Sequence, residues 1–204
     1  MLRARWVGCA LALMVPVAAC SSAPDAEQSA AGERVGSTEQ AATARLPTYH
    51  SGPVMHGTPG VYFIWYGAWA ADGAMKSAAS TFIRNLSGSS YFGISGTYAD
   101  SVGPAATHLS LKGQVTMSTP FGTSLTRASF RSIVERAISN NGLPTDDNAI
   151  YVVFTGRNVK QANAADALFC PSYCGWHSYE SLFGKTVKIA HVGDPWHCDA
   201  EGHA

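Results

Sequence analysis

Charge is scarce in this 204-residue sequence, and its two signs are balanced. Charged residues make up 14% of the chain, and 14 Lys plus Arg stand against 14 Asp plus Glu. The formal net charge is therefore +0, and the pI is about 7.0. Because a nucleic-acid-binding surface normally leaves an excess of positive charge, the sequence predicts no nucleic-acid partner.

Standard signatures of catalysis and nucleotide binding are also missing. The sequence contains no H-E-x-x-H, no G-x-S-x-G, no P-loop and no dinucleotide-binding fingerprint. Asp146 and Asp147 could serve glycoside hydrolysis as a carboxylate pair, but adjacent residues in a turn usually point apart, which favours a role in starting the next strand. We therefore predict no catalytic residue, no metal ligand and no cofactor.

The first apolar run is too short to span a bilayer and has the layout of a targeting signal. Two arginines precede it, the run occupies residues 6–15, and small residues follow. The sequence Val17-Ala18-Ala19-Cys20 resembles a bacterial lipobox, in which the cysteine is lipidated and becomes the first mature residue. We predict a signal peptide at residues 1–19 and lipidation at Cys20. The alternative is an ordinary secretory signal with an incidental cysteine.

Large apolar side chains are nearly absent between the signal and residue 47. Ala, Ser, Gly, Glu and Gln dominate this stretch and bury too little apolar surface to offset the entropy lost on ordering. We predict that residues 20–47 form a flexible lipid-anchored tether and that residues 48–204 form the folded domain. The protein is then extracytoplasmic, either held at the membrane through its lipid alone or secreted.

The sequence of the folded part alternates between strand and helix patterns. Residues 61–66 (VYFIWY) and 149–154 (AIYVVF) are apolar on both faces, as in buried central strands. Apolar and polar residues alternate over 109–117 around Gly113, which is typical of a bulge or a turn. Val187 and Ile189 indicate a last, shorter strand.

Two amphipathic helices are predicted between these strands. One apolar stripe runs through residues 75–86, with Asp72 available to cap its start and Gly88 its end. The second runs through 130–138, with Thr126 as its cap. The pattern predicts an α/β or α+β layered domain with a mixed sheet, helices packed on it and functional loops at strand ends.

Several stretches resemble the EXORDIUM / phosphate-induced protein family. Residues 49–55 (YHSGPVM) and 61–69 (VYFIWYGAW) resemble its opening signature. Residues 143–159 (LPTDDNAIYVVFTGRNV) and 169–178 (FCPSYCGWHS) are similar, in matching order, to its central strand and its cysteine motif. The resemblance implies an extracytoplasmic protein of a family known in plants for association with the cell wall, whose molecular activity is not established.

The resemblance also bears on the end of the chain. Bacterial members continue with a second cysteine motif and, in many, a His-Glu helix that suggests a metal site, whereas Gly202 stands where the second cysteine is expected. An EXORDIUM-like domain incomplete at its C-terminus is therefore expected over 48–204. We favour a non-enzymatic role in binding cell-wall polysaccharide or an envelope protein. A truncated zinc-dependent metallohydrolase is the alternative.

Three cysteines remain once Cys9 leaves with the signal and Cys20 carries lipid. Exported proteins usually pair their cysteines, so we predict a disulfide between Cys170 and Cys174, with Cys198 left over. A zinc site is the alternative to this disulfide. Its candidate ligands are Cys170, Cys174, His177, His191, His197, Cys198 and His203.

Trp176 and His177, beside the cysteine motif, are the candidate contact residues for a ligand. Aromatic side chains at strand ends can stack on sugars, which suits a wall-associated protein. Packing in the core is nevertheless the commoner use of Trp and Tyr.

Substituting Cys20→Ala should move the protein out of the membrane fraction, because it removes the site of lipid attachment. The measurement is the partition of the full-length protein between membrane and soluble fractions. Ser21→Ala, which leaves the cysteine in place, is the control. Unchanged fractionation of Cys20→Ala would contradict the lipid anchor.

Overall fold

The part of the chain that the structure describes contains both strands and helices. This computed structural model describes residues 52–69, 72–161 and 173–194, all within the compact unit Pro47–Ala204. The strands are β1 Gly60–Tyr66, β2 Ser110–Met117, β3 Ser124–Leu125, β4 Ala149–Thr155, β5 Lys160–Gln161, β6 Gly175–Leu182 and β7 Lys185–Gly193. The helices are α1 Gly73–Leu86, α2 Ser90–Gly93 and α3 Arg127–Asn141, with a 3-10 turn at Ile94–Thr97. No helix among these described residues is long and apolar enough to cross a membrane.

Five strands form one mixed sheet in the order β2-β1-β4-β7-β6. β1 pairs in parallel with both β2 and β4, and β7 continues the parallel pairing beyond β4. β6 closes the far edge antiparallel to β7. The mixed sheet with helices packed on it confirms the predicted fold class. The short strands β3 and β5 pair in parallel as a separate ribbon.

The buried strand β1 separates two apolar layers. Every residue of β1 is buried. Because side chains alternate between the faces of a strand, Phe63 and Trp65 pack on one side with α1, while Ile64 and Tyr66 pack on the other with α3. We call these sides the α1 face and the α3 face. Burying one such large apolar side chain contributes about 1.5–3 kcal/mol, so β1 supplies much of the core.

Helix α3 matches its prediction from the sequence closely. Thr126 precedes it, and the Ser129 hydroxyl accepts a hydrogen bond from the Thr126 N–H at 3.1 Å, which satisfies an otherwise unpaired donor. Gly142 ends the helix in the left-handed conformation (φ 80°) that glycine adopts without strain. The side chains that α3 buries against the sheet are Phe130, Ile133, Val134 and Ala137.

Helix α1 covers less of the sheet than its apolar stripe predicts. Ala79 and Ile83 pack against the α1-face core. The predicted packing of one apolar face on the sheet is thus present, but Phe82 is 62% exposed and Met75 is 44% exposed, so only part of the stripe lies on the sheet. Asp72 precedes the helix without a capping hydrogen bond from its side chain, which also departs from the prediction.

The C-terminal strands form a hairpin that the sequence did not reveal. β7 has nine residues and is the longest described strand, so the prediction of a shorter last strand is wrong. Residues 175–178, the end of the stretch that resembles the family's cysteine motif, begin β6. Phe183 (φ 51°) and Gly184 (φ 74°) form the two-residue turn, and positive φ at both positions matches the twist of the flanking strands.

Substituting Gly175→Ala should weaken the β6–β7 pairing. A Cβ at this position would lie 2.6 Å from the backbone oxygen of His191, which cannot move without shifting β7. We expect a loss of about 1–3 kcal/mol in the free energy of unfolding, measured by urea denaturation. Gly93→Ala, where a Cβ meets nothing within 4 Å, is the matched control. Equal stability of the two variants would contradict the close approach.

Candidate functional site

The carboxyl ends of β1 and β4 mark the place where a doubly wound sheet usually binds its ligand. The strand order reverses around β1, because α1 leads to β2 on one side and the chain then returns through α3 to β4 on the other. Ligands of open α/β sheets bind in the crevice outside this point. The two ends meet through a hydrogen bond from the Gly156 N–H to the Tyr66 carbonyl at 2.9 Å.

In this protein side chains fill the crevice. The Trp69 indole N–H lies 3.2 Å from the carbonyl oxygens of both Tyr66 and Phe154, so it bridges β1 and β4. The Asn158 side chain accepts a hydrogen bond from the Ala68 N–H at 2.8 Å and holds the loop after β1 against the loop after β4. The carboxyl edge is therefore built as a packed junction.

Tyr66 ties this junction to the loop after β2. Its hydroxyl donates to the Gly122 carbonyl at 2.8 Å and accepts from the Phe121 N–H at 3.0 Å. Burial raises the pKa of Tyr66, so its hydroxyl stays protonated and keeps donating. The hydroxyl acts here as a structural connector between β1 and the loop.

A buried histidine joins β4 to β7. His191 is 1% exposed, and its Nε2 lies 3.0 Å from the Thr155 hydroxyl. Its ring packs edge-on against Phe130 on α3, with ring centroids 4.7 Å apart. Burial lowers the pKa of His191 to about 3, because the charged ring would lose its hydration. The ring is therefore neutral at physiological pH.

Trp176 and His177, the two predicted contact residues, lie on opposite faces of the sheet. Trp176 points to the α3 face, where its ring lies 5.9 Å from that of His191, and the Arg127 guanidinium lies 5.0 Å from its ring centre. His177 is exposed and lines a depression on the α1 face. One ligand contacting a single face of the sheet would therefore not meet both side chains.

The cysteine motif is only partly described. Cys174 is exposed, and its predicted disulfide partner Cys170 lies outside the described residues. Cys198, His197 and His203 also lie outside them, as do the predicted signal, Cys20 and the tether. Within residues 52–69, 72–161 and 173–194, no three potential ligands cluster as a metal site requires.

The two aspartates that precede β4 each pair with a different lysine. Asp146 lies 3.0 Å from Lys112, and the Tyr62 hydroxyl donates to it at 3.4 Å. Asp147 instead lies 3.7 Å from Lys185. The Lys112 ammonium and the hydrogen bonds that Asp146 accepts lower the pKa of that carboxyl against the opposing effect of burial. The two carboxylates hold strand starts and do not face one another as a catalytic pair.

The α1 face carries an accessible apolar groove. A groove of about 630 Å³ lies beside α1 over β4 and β7. Its apolar lining includes Phe63, Phe82, Val152, Phe154, Ala190 and Val192. A second depression of about 640 Å³ shares Ile150 and Ala190 with the groove and extends to β6.

The second depression has a polar rim, of which reasoning from the sequence named only His177. Tyr179 is 73% exposed on β6, Lys188 pairs with it in register on β7, and His177 lies two residues earlier on the same face. We call these three residues the β6 rim. The alternation in residues 175–182 (GWHSYESL) was the available signal, since it places positions 177 and 179 on one face.

The fold defines an open, doubly wound α/β domain in which the described residues leave part of the α1 face uncovered. The sequence profile of the phosphate-induced protein 1 conserved region matches residues 47–201. Protein EXORDIUM-like 3 of Arabidopsis thaliana is 30% identical over 161 residues. The chain therefore belongs to the EXORDIUM / phosphate-induced protein family, as its motifs predict.

The match covers a larger share of this chain than of EXORDIUM-like 3. The match takes in 72% of this chain and 46% of EXORDIUM-like 3, so the chain spans less than half the length of the relative. No solved structure matches the chain.

The stability of the fold should fall as the pH drops from 6.5 to 4.5, because only the unfolded chain takes up a proton at His191 in this range. A folded-state pKa of about 3 against an ordinary value of 6.5 predicts a loss of roughly 2 kcal/mol over the interval. The lowered pKa of Asp100 affects stability only at more acidic pH. The measurement is the free energy of unfolding in urea at several pH values.

His191→Gln keeps a polar partner for Thr155 and removes the titrating ring, so its profile should be flatter than that of the unaltered protein. His108→Gln, at an exposed histidine before β2, is the matched control and should keep the slope. Parallel profiles for all three proteins would show that His191 is not the group responsible.

Proposed function

We propose that this protein is exported, anchored through a lipid on Cys20, and binds cell-wall polysaccharide at the β6 rim without chemical conversion. The lipobox-like sequence supports the anchor, and the composition of residues 20–47 supports a tether of adjustable reach. Membership of the EXORDIUM / phosphate-induced protein family supports a wall-associated role.

The observation that carries this proposal is the exposure of Tyr179. A tyrosine that is 73% exposed on an edge strand contributes little to the core. Its ring can stack on the apolar face of a sugar, while His177 and Lys188 beside it can bond to hydroxyl groups. An aromatic platform with a few polar groups around it is the usual composition of a ligand site.

Three titratable groups are held in structural hydrogen bonds or ion pairs, which supports binding without catalysis. Asp100 accepts hydrogen bonds from the N–H groups of Val54, Val102 and Gly103, which hold its pKa well below the usual range. Asp146 is bonded to Lys112, and His191 is enclosed beside Thr155. Each of these groups stabilises a turn or a strand pair.

Tyr179→Ala should weaken sedimentation of the purified, detergent-solubilised chain with insoluble peptidoglycan by about tenfold, because it removes the stacking platform. His177→Ala should cause a smaller loss, since it removes only a polar contact. Tyr91→Ala, at a tyrosine of α2 that is 78% exposed, is the matched control and should bind normally. Failure of the unaltered chain to sediment, or equal binding by Tyr179→Ala, would contradict the proposal.

A further inference from the structure

Strand β6 lies at one edge of the sheet, and its sequence carries little protection against pairing with another strand. Among the described strands, only β7 pairs with it. That pairing runs without a register shift from Gly175 to Leu182, and β6 contains no proline and no lysine. Proteins usually block an exposed edge with such residues or with a bulge. The outer edge of β6 is therefore suited to a further strand.

The opposite edge of the sheet, β2, has the protection that β6 lacks. Leu111 and Gly113 lie opposite consecutive residues of β1, so Lys112 between them is the extra residue of a bulge. A bulge and a lysine on an edge strand are both devices that prevent pairing with another chain. The contrast selects β6 as the edge that can accept a partner.

Two arginines of α3 lie beside the α3 face of β6, and they differ in their partners. Arg127 and Arg131 are four residues apart, about one helical turn. The Arg131 guanidinium lies 3.9 Å from the Glu180 carboxylate, whereas Arg127 lies over the ring of Trp176 at 5.0 Å from its centre. Arg127 is exposed and forms no ion pair with a described acidic side chain. The position over Trp176 thus lacks the carboxylate that the next turn of α3 has.

We propose that β6 pairs antiparallel with β6 of a second copy of this chain, about a two-fold axis at Ser178. Residues equally far from Ser178 on either side then face one another, so Glu180 of each copy lies opposite Trp176 of the other. The Cβ atoms of directly opposite residues lie about 4.5–5.5 Å apart, which brings this carboxylate within reach of Arg127. Each copy supplies the carboxylate that the Arg127 position of the other lacks.

The faces of the sheet and the position of Glu180 together select this register. Directly opposite residues of antiparallel strands point to the same face, so the α3 faces of both copies coincide only when the axis passes through a residue. An axis at Tyr179 would place Glu180 opposite Ser178. An axis at His177 would place it opposite Cys174, before the strand begins. Of these three axes, the one at Ser178 alone places the carboxylate opposite the ring that carries the arginine.

The pairing goes beyond the proposed wall binding and does not rest on it. Glu180 points to the α3 face, whereas the β6 rim lies on the α1 face. Because the two-fold axis is perpendicular to the sheet, both α1 faces lie on one side, with His177 of one copy opposite Tyr179 of the other. The two rims therefore adjoin on one surface. Assays of the dimer contain no peptidoglycan, so they measure the pairing separately from wall binding.

The mass of the purified full-length protein, measured by light scattering during size-exclusion chromatography in detergent, tests the proposal. The unaltered chain should be dimeric at high protein concentration and should dissociate on dilution. Glu180→Arg should raise the dissociation constant about tenfold or more, because like charges meet at both symmetric contacts with Arg127. Glu135→Arg makes the same change at the other carboxylate that contacts Arg131 and should leave the dimer intact.

Mixing two weakened variants separates the charge pairing from damage to the fold. Arg127→Glu should weaken the dimer as Glu180→Arg does, because like charges again meet at both contacts. A mixed dimer of the two variants has one native contact and one in which the charges are exchanged, so both contacts are attractive. The mixture should therefore form a dimer at a concentration where each variant alone is monomeric. Circular dichroism checks that both variants are folded.

Cysteines introduced on β6 test the register. Ser178→Cys places a thiol at the axis, so under mild oxidation the introduced thiols of two copies should form a disulfide, identified by mass spectrometry of the linked peptides. Ser181→Cys is the matched control. Its position lies opposite Gly175, which leaves the two introduced thiols about 20 Å apart and unable to link to each other.

Three results would overturn the proposal. A monomeric mass of the unaltered chain at every concentration would show that β6 does not pair with a second copy. A dimer that tolerates Glu180→Arg, or a mixture of variants that stays monomeric, would show that Arg127 and Glu180 do not meet. Linkage through Ser181→Cys without linkage through Ser178→Cys would exclude the register.

Discussion

The placement of β1 between two parallel neighbours is the constraint on which the rest of the structure depends. A strand whose side chains are apolar on both faces cannot lie at an exposed edge without leaving large aromatic groups in water. Parallel neighbours require long crossover connections, and the chain supplies them as α1 before β2 and α3 before β4. The two helices therefore fall on opposite faces, and the sheet grows outward from β1.

The burial of β1 on both faces also explains why side chains fill the crevice at the carboxyl ends of β1 and β4. Trp65 stacks on Phe154 with ring centroids 4.3 Å apart, and Trp69 lies edge-on to Trp65 at 4.9 Å. These rings, with the Trp69 indole bridging two strand ends, occupy the crevice where related architectures hold ligands. Among the described residues, the apolar groove and the depression bounded by the β6 rim lie instead on the α1 face.

The sequence pattern predicted the strands that are apolar on both faces and the helix that is buried along one regular stripe. The apolar runs at 61–66 and 149–154 became β1 and β4, the stripe through Phe130 and Ile133 became the buried side of α3, and Gly113 lies next to the irregular register of β2. The β6–β7 hairpin was missed because its turn uses Phe183 at positive φ, which no turn-residue rule favours. The exposure of Phe82 could not be predicted either, because the apolar stripe of a helix does not show how much of it the sheet will cover.

The cysteine motif illustrates how one short stretch can serve several physical roles. Gly175 lets β6 approach the His191 carbonyl, where a Cβ would meet it at 2.6 Å. Trp176 packs on the α3 face between His191 and Arg127, and His177 projects from the other face into the depression bounded by the β6 rim. Because consecutive strand residues alternate in direction, the pairing that buries Trp176 necessarily presents His177. Core packing on one face thus fixes the position of the β6 rim on the other.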